Sequence, residues 1–151
     1  MVQGNMSPVV VASDHAGFEM KEYVKKYLTE KGIPFFDAGA EKLDPHDGYP
    51  QFAFKLAELV SSGKYSRGIL MCGTGIGASI AANRVKKVRA ALCYSPDMAR
   101  MSRLHNDSNV LVLGGRTTTQ VVAAEIMDSW FATEFEGGRH QGRIDEMDIH
   151  C

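Results

Sequence analysis

The sequence predicts an α/β protein built in three layers, with a mainly parallel five-stranded sheet flanked by helices on both faces. Three observations carry that expectation. Short apolar runs alternate with amphipathic segments of helical period, the pattern of strands joined by crossover helices. Glycine or aspartate clusters follow several of the runs. The stretch Arg67 to Arg84, RGILMCGTGIGASIAANR, passes from an apolar strand (Ile69, Leu70, Met71) through a glycine turn into strong helix-forming sequence.

Pro8 to Ser13 (PVVVAS) reads as the first strand, stopped by the polar cluster Asp14-His15-Ala16-Gly17. In the following helix Phe18, Tyr23, Val24, Tyr27 and Leu28 share one face. Lys21, Glu22, Lys25 and Lys26 lie elsewhere, and Gly32 ends the helix. Ile33 to Phe36 is a short second strand, followed by a polar loop from Asp37 to Asp47 with Pro45 and Pro50 as interruptions. Gln51 to Val60 repeats Phe52, Ala53, Leu56, Ala57 and Val60 at helical spacing and stops near Gly63. After the glycine turn, Arg89 to Tyr94 is the fourth strand. Ser95 then Pro96 is the order of an N-cap and a first-turn proline, opening a helix that should end before Asn106. Asn109 to Leu113 (NVLVL) closes on Gly114-Gly115-Arg116 as the fifth strand. Thr117 to Thr119 cap a helix from Gln120 to Phe131, and a turn over Glu136 to Arg139 leads to a last helix near Gln141 to Ile149. Met1 to Ser7 is expected to be a flexible lead, with residues 8–151 forming a single domain.

Composition bounds the function. The 151 residues fit one domain, and no apolar run approaches the ~20 residues of a membrane helix. A formal net charge of -1 argues against a nucleic-acid partner, and no membrane association is expected. Three cysteines without CxxC spacing and without a secretory leader point to a reducing, cytoplasmic setting. Cys93 belongs to an apolar run as a buried residue, and Cys151 is the last residue.

The chemistry centres on Cys72. Gly73, Gly75 and Gly77 let the backbone turn tightly and leave N–H groups unshielded at a helix N-terminus, a seat for an anion. A thiol at that place is biased toward thiolate. A base beside an anion cradle suits abstraction of a proton from a carbon next to a carbonyl, with N–H donors holding the enediolate oxygen. Thr74 either adds a hydroxyl donor or fills the turn. Cysteine also serves commonly as a small buried hydrophobe, and such turns also bind phosphates and dinucleotides.

In parallel sheets ligands bind beyond the carboxyl ends of the strands, a rule that gathers Asp14, His15, the Cys72 to Gly77 turn and Arg116 on one rim. It does not place His105 or Arg139. Arg116, Arg139 and Arg143 are candidates for a phosphate clamp, since guanidinium forks match phosphate oxygens; each alone also reads as a surface arginine. His105, in a polar loop after a helix, suits a proton shuttle or an ordinary helix-end histidine. His140 beside Arg139 permits a minor phosphate contact. Asp44, His46 and Asp47 superficially resemble metal ligands, but no HExxH, paired cysteine or carboxylate-rich helix accompanies them, so no metal is expected. The competing class is a dinucleotide-binding domain, since Gly73 to Ala78 also satisfies GxGxxA and Asp97 follows about 20 residues later. Against it, the motif follows the third strand and a cysteine precedes it.

Taken together, five motifs resemble the ribose-5-phosphate isomerase B family and its galactose-6-phosphate isomerase relatives. They are Ser13 to Phe18 (SDHAGF), Tyr49-Pro50, Cys72 to Gly77 with Ser79 to Asn83, Arg103 to Asn109 (RLHNDSN) with Gly114 to Arg116, and Phe135 to Gln141 (FEGGRHQ) with Arg143. The resemblance implies a cofactor-free aldose-ketose isomerase of phosphorylated sugars with a Rossmann-like fold. It also implies a homodimer, or a dimer of dimers, whose active sites draw on both subunits. Carried over by position, Cys72 is the base between C1 and C2. The N–H groups of Gly73, Gly75, Ile76 and Gly77, with Thr74, hold the enediolate. His105 assists ring opening and Asn106 binds substrate beside it; Asp14 and Tyr49 contact sugar oxygens; His15, Arg116, Arg139 and Arg143 bind the phosphate. The family pattern has an acid directly before Tyr-Pro, whereas here Gly48 occupies that place and Asp47 stands one position earlier. Gly142 stands where a further basic residue is common. The implied reaction interconverts ribose 5-phosphate and ribulose 5-phosphate. Its rivals are isomerisation of a four- or six-carbon aldose phosphate, such as galactose 6-phosphate or allose 6-phosphate, and sugar-phosphate binding without turnover.

Overall fold

Three strands buried along nearly their whole length form the centre of the sheet: β1 (Val9–Ser13), β3 (Arg67–Cys72) and β5 (Val110–Gly114). The shorter β2 (Phe35–Asp37) and β4 (Ala90–Leu92) are its edges, in the order β2-β1-β3-β5-β4 with every pairing parallel. This computed structural model describes residues 7–150, so most of the predicted lead and Cys151 lie outside the described residues. Strands buried on both faces must be apolar at successive positions, which is why VVVAS and VLVLG show no alternation.

The sheet separates two cores. On one face Val9, Val11, Ile69, Met71, Leu111 and Leu113 meet helices α1 (Phe18–Glu30), α4 (Pro96–Asn106) and α5 (Gln120–Ala132) through Val24, Leu28, Ala99, Ile126 and Trp130. On the other, Val10, Ala12, Leu70, Cys72 and Val112 meet α2 (Tyr49–Ser61) and α3 (Ile76–Ala82). Because successive side chains alternate faces, Cys72 points toward the α2–α3 layer. A sixth helix, α6 (Arg139–His150), packs on α4. Among the described residues no helix is long and apolar enough to cross a membrane.

Several boundaries match the local signals. Ser95 accepts a hydrogen bond from the Met98 N–H as N-cap of α4, and Thr119 does the same for Val122 in α5. Gly32, at φ 72, completes a Schellman ending in which Ile33 N–H reaches the Leu28 carbonyl at 2.9 Å.

Four expectations are corrected. Lys21 is fully buried, its Nζ 2.6 Å from an Asp37 oxygen and 2.7 Å from the Ala40 carbonyl, because Asp37 at the end of β2 gives it an anionic partner inside. Against the upward pull of burial, the hydrogen bonds from Lys21, Lys25 and the Gly39 N–H hold Asp37 below the usual carboxylate range. Tyr49 and Pro50 open α2 rather than ending a loop, since proline fits the first helical turn. Helix α4 runs on through His105 and Asn106 until Asp107 takes a left-handed conformation, φ 46, so His105 belongs to the last helical turn and not to a loop. Arg139, predicted in a turn, is the first residue of α6.

Candidate active site

Strand β3 delivers Cys72, 4% exposed, to the carboxyl rim of the sheet, and the chain turns at once. Gly75 takes φ 84, a conformation that a side chain resists, and a Cβ there would overlap Leu92 and stand 3.3 Å from the Leu113 backbone. The backbone N–H groups of Gly73, Thr74 and Gly75 meet no acceptor among the described residues. The Ile76 N–H is already engaged by Thr74 Oγ1 at 3.2 Å, so of the predicted donors this one is shared with the turn itself. Thr74 Oγ1 keeps its own hydrogen to donate. Tyr94 Oη, two residues beyond β4, donates to the Thr74 carbonyl at 2.7 Å and so braces the turn; the sequence pattern shows Tyr94 only as a strand end.

The neighbouring rim positions close around this turn. Arg116 N–H donates to the Gly73 carbonyl and Gly115 N–H to the Cys72 carbonyl, both at 2.8 Å, and the Arg116 side chain lies against Gly73. Gly115 lies on the Ala16 carbonyl so closely that a Cβ would come within 2.7 Å of it, tying the β5 turn to the β1 turn. Buried Asp14 caps a single 3-10 turn, His15–Gly17, by accepting from the Gly17 N–H at 3.1 Å. His15 donates its backbone N–H and its ring Nδ1–H to one oxygen of Asp47, at 2.8 and 2.9 Å. That hydrogen bond, opposed by partial burial and helped by Asp14, raises the His15 pKa above the ordinary histidine value. Tyr49 stands across the turn, its ring directly against Gly77, where a Cβ would come 2.5 Å from Cζ. The structure therefore brings Asp14, His15, Tyr49, Cys72, Gly73, Thr74, Gly75, Ile76, Gly77 and Arg116 together on one rim.

The remaining candidates occupy the opposite rim. Helix α4 starts beyond the carboxyl end of β4 and ends beside the first residue of β5, where Asn109 bonds to Arg89 and Gly68 bonds to Asn109. Its 11 residues span about 16 Å. His105 and Asn106 are thus a full helix length from the Cys72 end of the sheet. Buried Arg103 anchors this corner, donating to Asp107 Oδ1 at 2.8 Å and to the Ser108 carbonyl at 2.6 Å. The Glu136 N–H bonds to the Leu104 carbonyl, which sets the start of α6, with Arg139 and Arg143, beside His105. The His105 and His140 rings stack at 4.4 Å, and burial, with Arg139 and His105 nearby, lowers the His140 pKa. A cavity of about 340 Å³ opens at this rim, holding Asn106 alone of the candidates beside Arg89, Ser102 and Met147; it is separate from the cradle.

Two side-chain trios have metal-ligand composition, His105 with Glu136 and His140, and Asp14 with His15 and Asp47. Neither is a formed metal centre. The two stacked imidazoles are tilted by only 21°, so their in-plane lone pairs do not converge on one point. In the second trio Nδ1 of His15 and one oxygen each of Asp14 and Asp47 are spent on hydrogen bonds. The sequence-predicted resemblance of Asp44 and His46 to ligands finds no third partner in these trios. Asp97, the acid of the dinucleotide alternative, pairs with Arg100 at 2.8 Å on the surface of α4.

The chain is similar in sequence and in fold to known proteins. The family model described as Ribose/Galactose Isomerase matches residues 9–147. The YwlF protein of Bacillus subtilis is 45% identical over 139 residues, covering 92% of this chain and 93% of its own. Ribose-5-phosphate isomerase B of Escherichia coli is 41% identical over 142 residues, covering 94% and 95%. Among solved structures, a ribose 5-phosphate isomerase of Thermotoga maritima is 48% identical with TM-score 0.91, covering 95% of this chain and 98% of its own. Ribose-5-phosphate isomerase B of Mycoplasma genitalium, solved with bound ribulose-5-phosphate, is 40% identical with TM-score 0.92, covering 97% of both chains. With a matching family model, matching sequence and the same five-stranded fold, this chain belongs to the ribose/galactose isomerase family.

Proposed function

We propose that the protein interconverts ribose 5-phosphate and ribulose 5-phosphate through an enediolate, with Cys72 as the base. The observation that carries the reading is the buried Cys72 at the foot of a turn whose Gly73, Thr74 and Gly75 N–H groups lack an acceptor among the described residues. The Cys72 thiolate takes the C2 proton of the open-chain aldose. The C–H electron pair becomes the C1–C2 double bond, and the C1 oxygen takes up negative charge facing the N–H donors and the Thr74 hydroxyl. Return of the proton to C1, while the O2 hydroxyl proton passes to O1, gives the ketose. Asp14 and Tyr49 hold sugar hydroxyls, and His15 and Arg116 meet the phosphate.

The separation of the two rims supports a homodimer with shared sites. His105 for ring opening, Asn106 beside it, and Arg139 and Arg143 for the phosphate come to the Cys72 rim from a second copy. Exposed Ile76 and Ile80 on α3, 50% and 58% accessible, and Met98 on α4 offer an apolar surface beside the cradle for that copy. A cytoplasmic setting, where ribose 5-phosphate and a reduced thiol coexist, fits this reading.

The test is the initial rate of ketose formation from ribose 5-phosphate with EDTA present, beside four-carbon and six-carbon aldose phosphates. A preference for ribose 5-phosphate that survives chelation is expected. Preference for another sugar would keep the enediolate route and change the substrate; no turnover on any sugar would refute the reading.

A further inference from the structure

We propose that Asp47 is a positioning residue for phosphate binding: its carboxylate fixes the His15 ring through Nδ1, so that the ring can meet the substrate phosphate only through Nε2. The inference rests on the assignment of His15 to the phosphate. Asp47 Oδ1 accepts both the backbone N–H and the ring Nδ1–H of His15, at 2.8 and 2.9 Å, which fixes the turn and the ring orientation together. The two residues lie 32 positions apart, so the contact is a product of the fold. The Asp47 side chain is 6% exposed and that of His15 27%, so the acid is the inner partner and the ring faces outward. Asp47 Oδ2 is buried without a hydrogen-bond partner, and among the described residues His15 is the one cation paired with this carboxylate.

The arrangement dictates how the ring can act. With Nδ1–H committed to Asp47, the neutral ring presents a lone pair at Nε2, which repels a phosphate oxygen. Only the imidazolium has an Nε2–H to donate. Asp47 therefore makes phosphate binding depend on the charge state of His15, and it also favours the charged state. Of the charged groups that act on the ring, Asp14 does so from its own turn and Asp47 from the 38–48 loop; Arg116, from the turn after β5, lies against Gly73. Both acids favour the cation. In this chain the order is Asp47-Gly48-Tyr49, so the acid stands two positions before the tyrosine.

The test begins with the parent protein: NMR titration of the His15 ring, with and without inorganic phosphate. Above its midpoint the ring should be the Nδ1–H tautomer, and phosphate should move the midpoint upward. An Nε2–H tautomer would overturn the proposal without any variant. In Asp47→Asn the His15 midpoint should fall, which weakens phosphate affinity above both midpoints and leaves it nearly unchanged below them. KM for ribose 5-phosphate should follow, with kcat within about twofold. The same substitution in a His15→Gln background should have no pH-dependent effect. An unchanged midpoint, or an equal loss of affinity at every pH, would overturn the proposal. Absence of turnover on any sugar phosphate would instead refute the isomerase reading and leave the His15 titration standing.

Discussion

Replacing Gly75 with alanine tests the cradle at the position where backbone and packing agree most strongly. An L-residue held at φ 84 costs about 1–2 kcal/mol. The added Cβ overlaps Leu92 Cδ1, a half-buried side-chain end that can rotate away, but it also stands 3.3 Å from the Leu113 carbonyl, which belongs to the central strand β5 and yields little. Together these give a destabilisation of about 2 kcal/mol, or a drop in Tm of about 4–8 °C for a chain of this size. The displaced turn carries the N–H donors with it; because loss of one oxyanion donor costs about 10²–10³ in kcat, turnover should fall at least about tenfold. Gly142→Ala is the matched control. Gly142 lies within α6 with nothing within 4 Å of its would-be Cβ and no positive φ, so alanine there should stabilise the fold by about 0.5–1 kcal/mol. Calorimetry and initial rates on both variants decide the matter. A Gly75→Ala protein that melts and turns over like the parent, or a Gly142→Ala protein destabilised to the same degree, would refute the reasoning.

Cys72→Ala and His105→Ala should each abolish turnover, and mixing the two after reversible dissociation should restore about a quarter of the parental rate, since half of randomly reassorted dimers are mixed and each holds one intact site. No recovery in a mixture shown to exchange subunits would argue for sites within one chain. Lys21→Met should cost about 2–4 kcal/mol in urea melts, less than a full buried charge because Asp37 keeps Lys25 and the Gly39 N–H. Asp37 is held below its ordinary value of 3.8, so its contribution is present above that pH and is lost as pH falls through the depressed value; Lys21→Met should move that acid limb upward. Trp130→Phe removes the Nε1–H bond to Ser108 Oγ (2.9 Å) in the buried corner behind His105, and should cost about 1–3 kcal/mol while leaving the Cys72 rim intact, read as a lower Tm with an unchanged His15 titration.

Where the determinants were local, the sequence revealed the structure. The valine runs of β1 and β5, the Ser95-Pro96 start of α4 and the Gly32 stop of α1 each depend on neighbouring residues, and each lies where the pattern put it. Rim placement of Asp14, Cys72 and Arg116 followed from strand direction alone. Lys21 was misread because its partners Asp37 and Ala40 arrive from another element, so spacing within α1 held no sign of them. The end of α4 was set too early because Asn106 and Asp107 resemble loop residues; the helix stops only where Asp107 adopts the left-handed turn that Arg103 and Arg89 hold in place. The pairing of Asp47 with His15 spans two loops, and within the DPHD run the acid offered only a superficial metal-ligand pattern.

The length of α4 bears on how the protein works as a population. On the proposed roles, with Cys72 at one end of a layer and His105, Arg139 and Arg143 at the other, a solitary chain should be inert, and activity per chain should decline on dilution as copies part. A copy defective at one end only should then cost no more than its own site, because its sound end still completes the partner's, whereas a copy defective at both ends but able to pair should silence a sound chain as well.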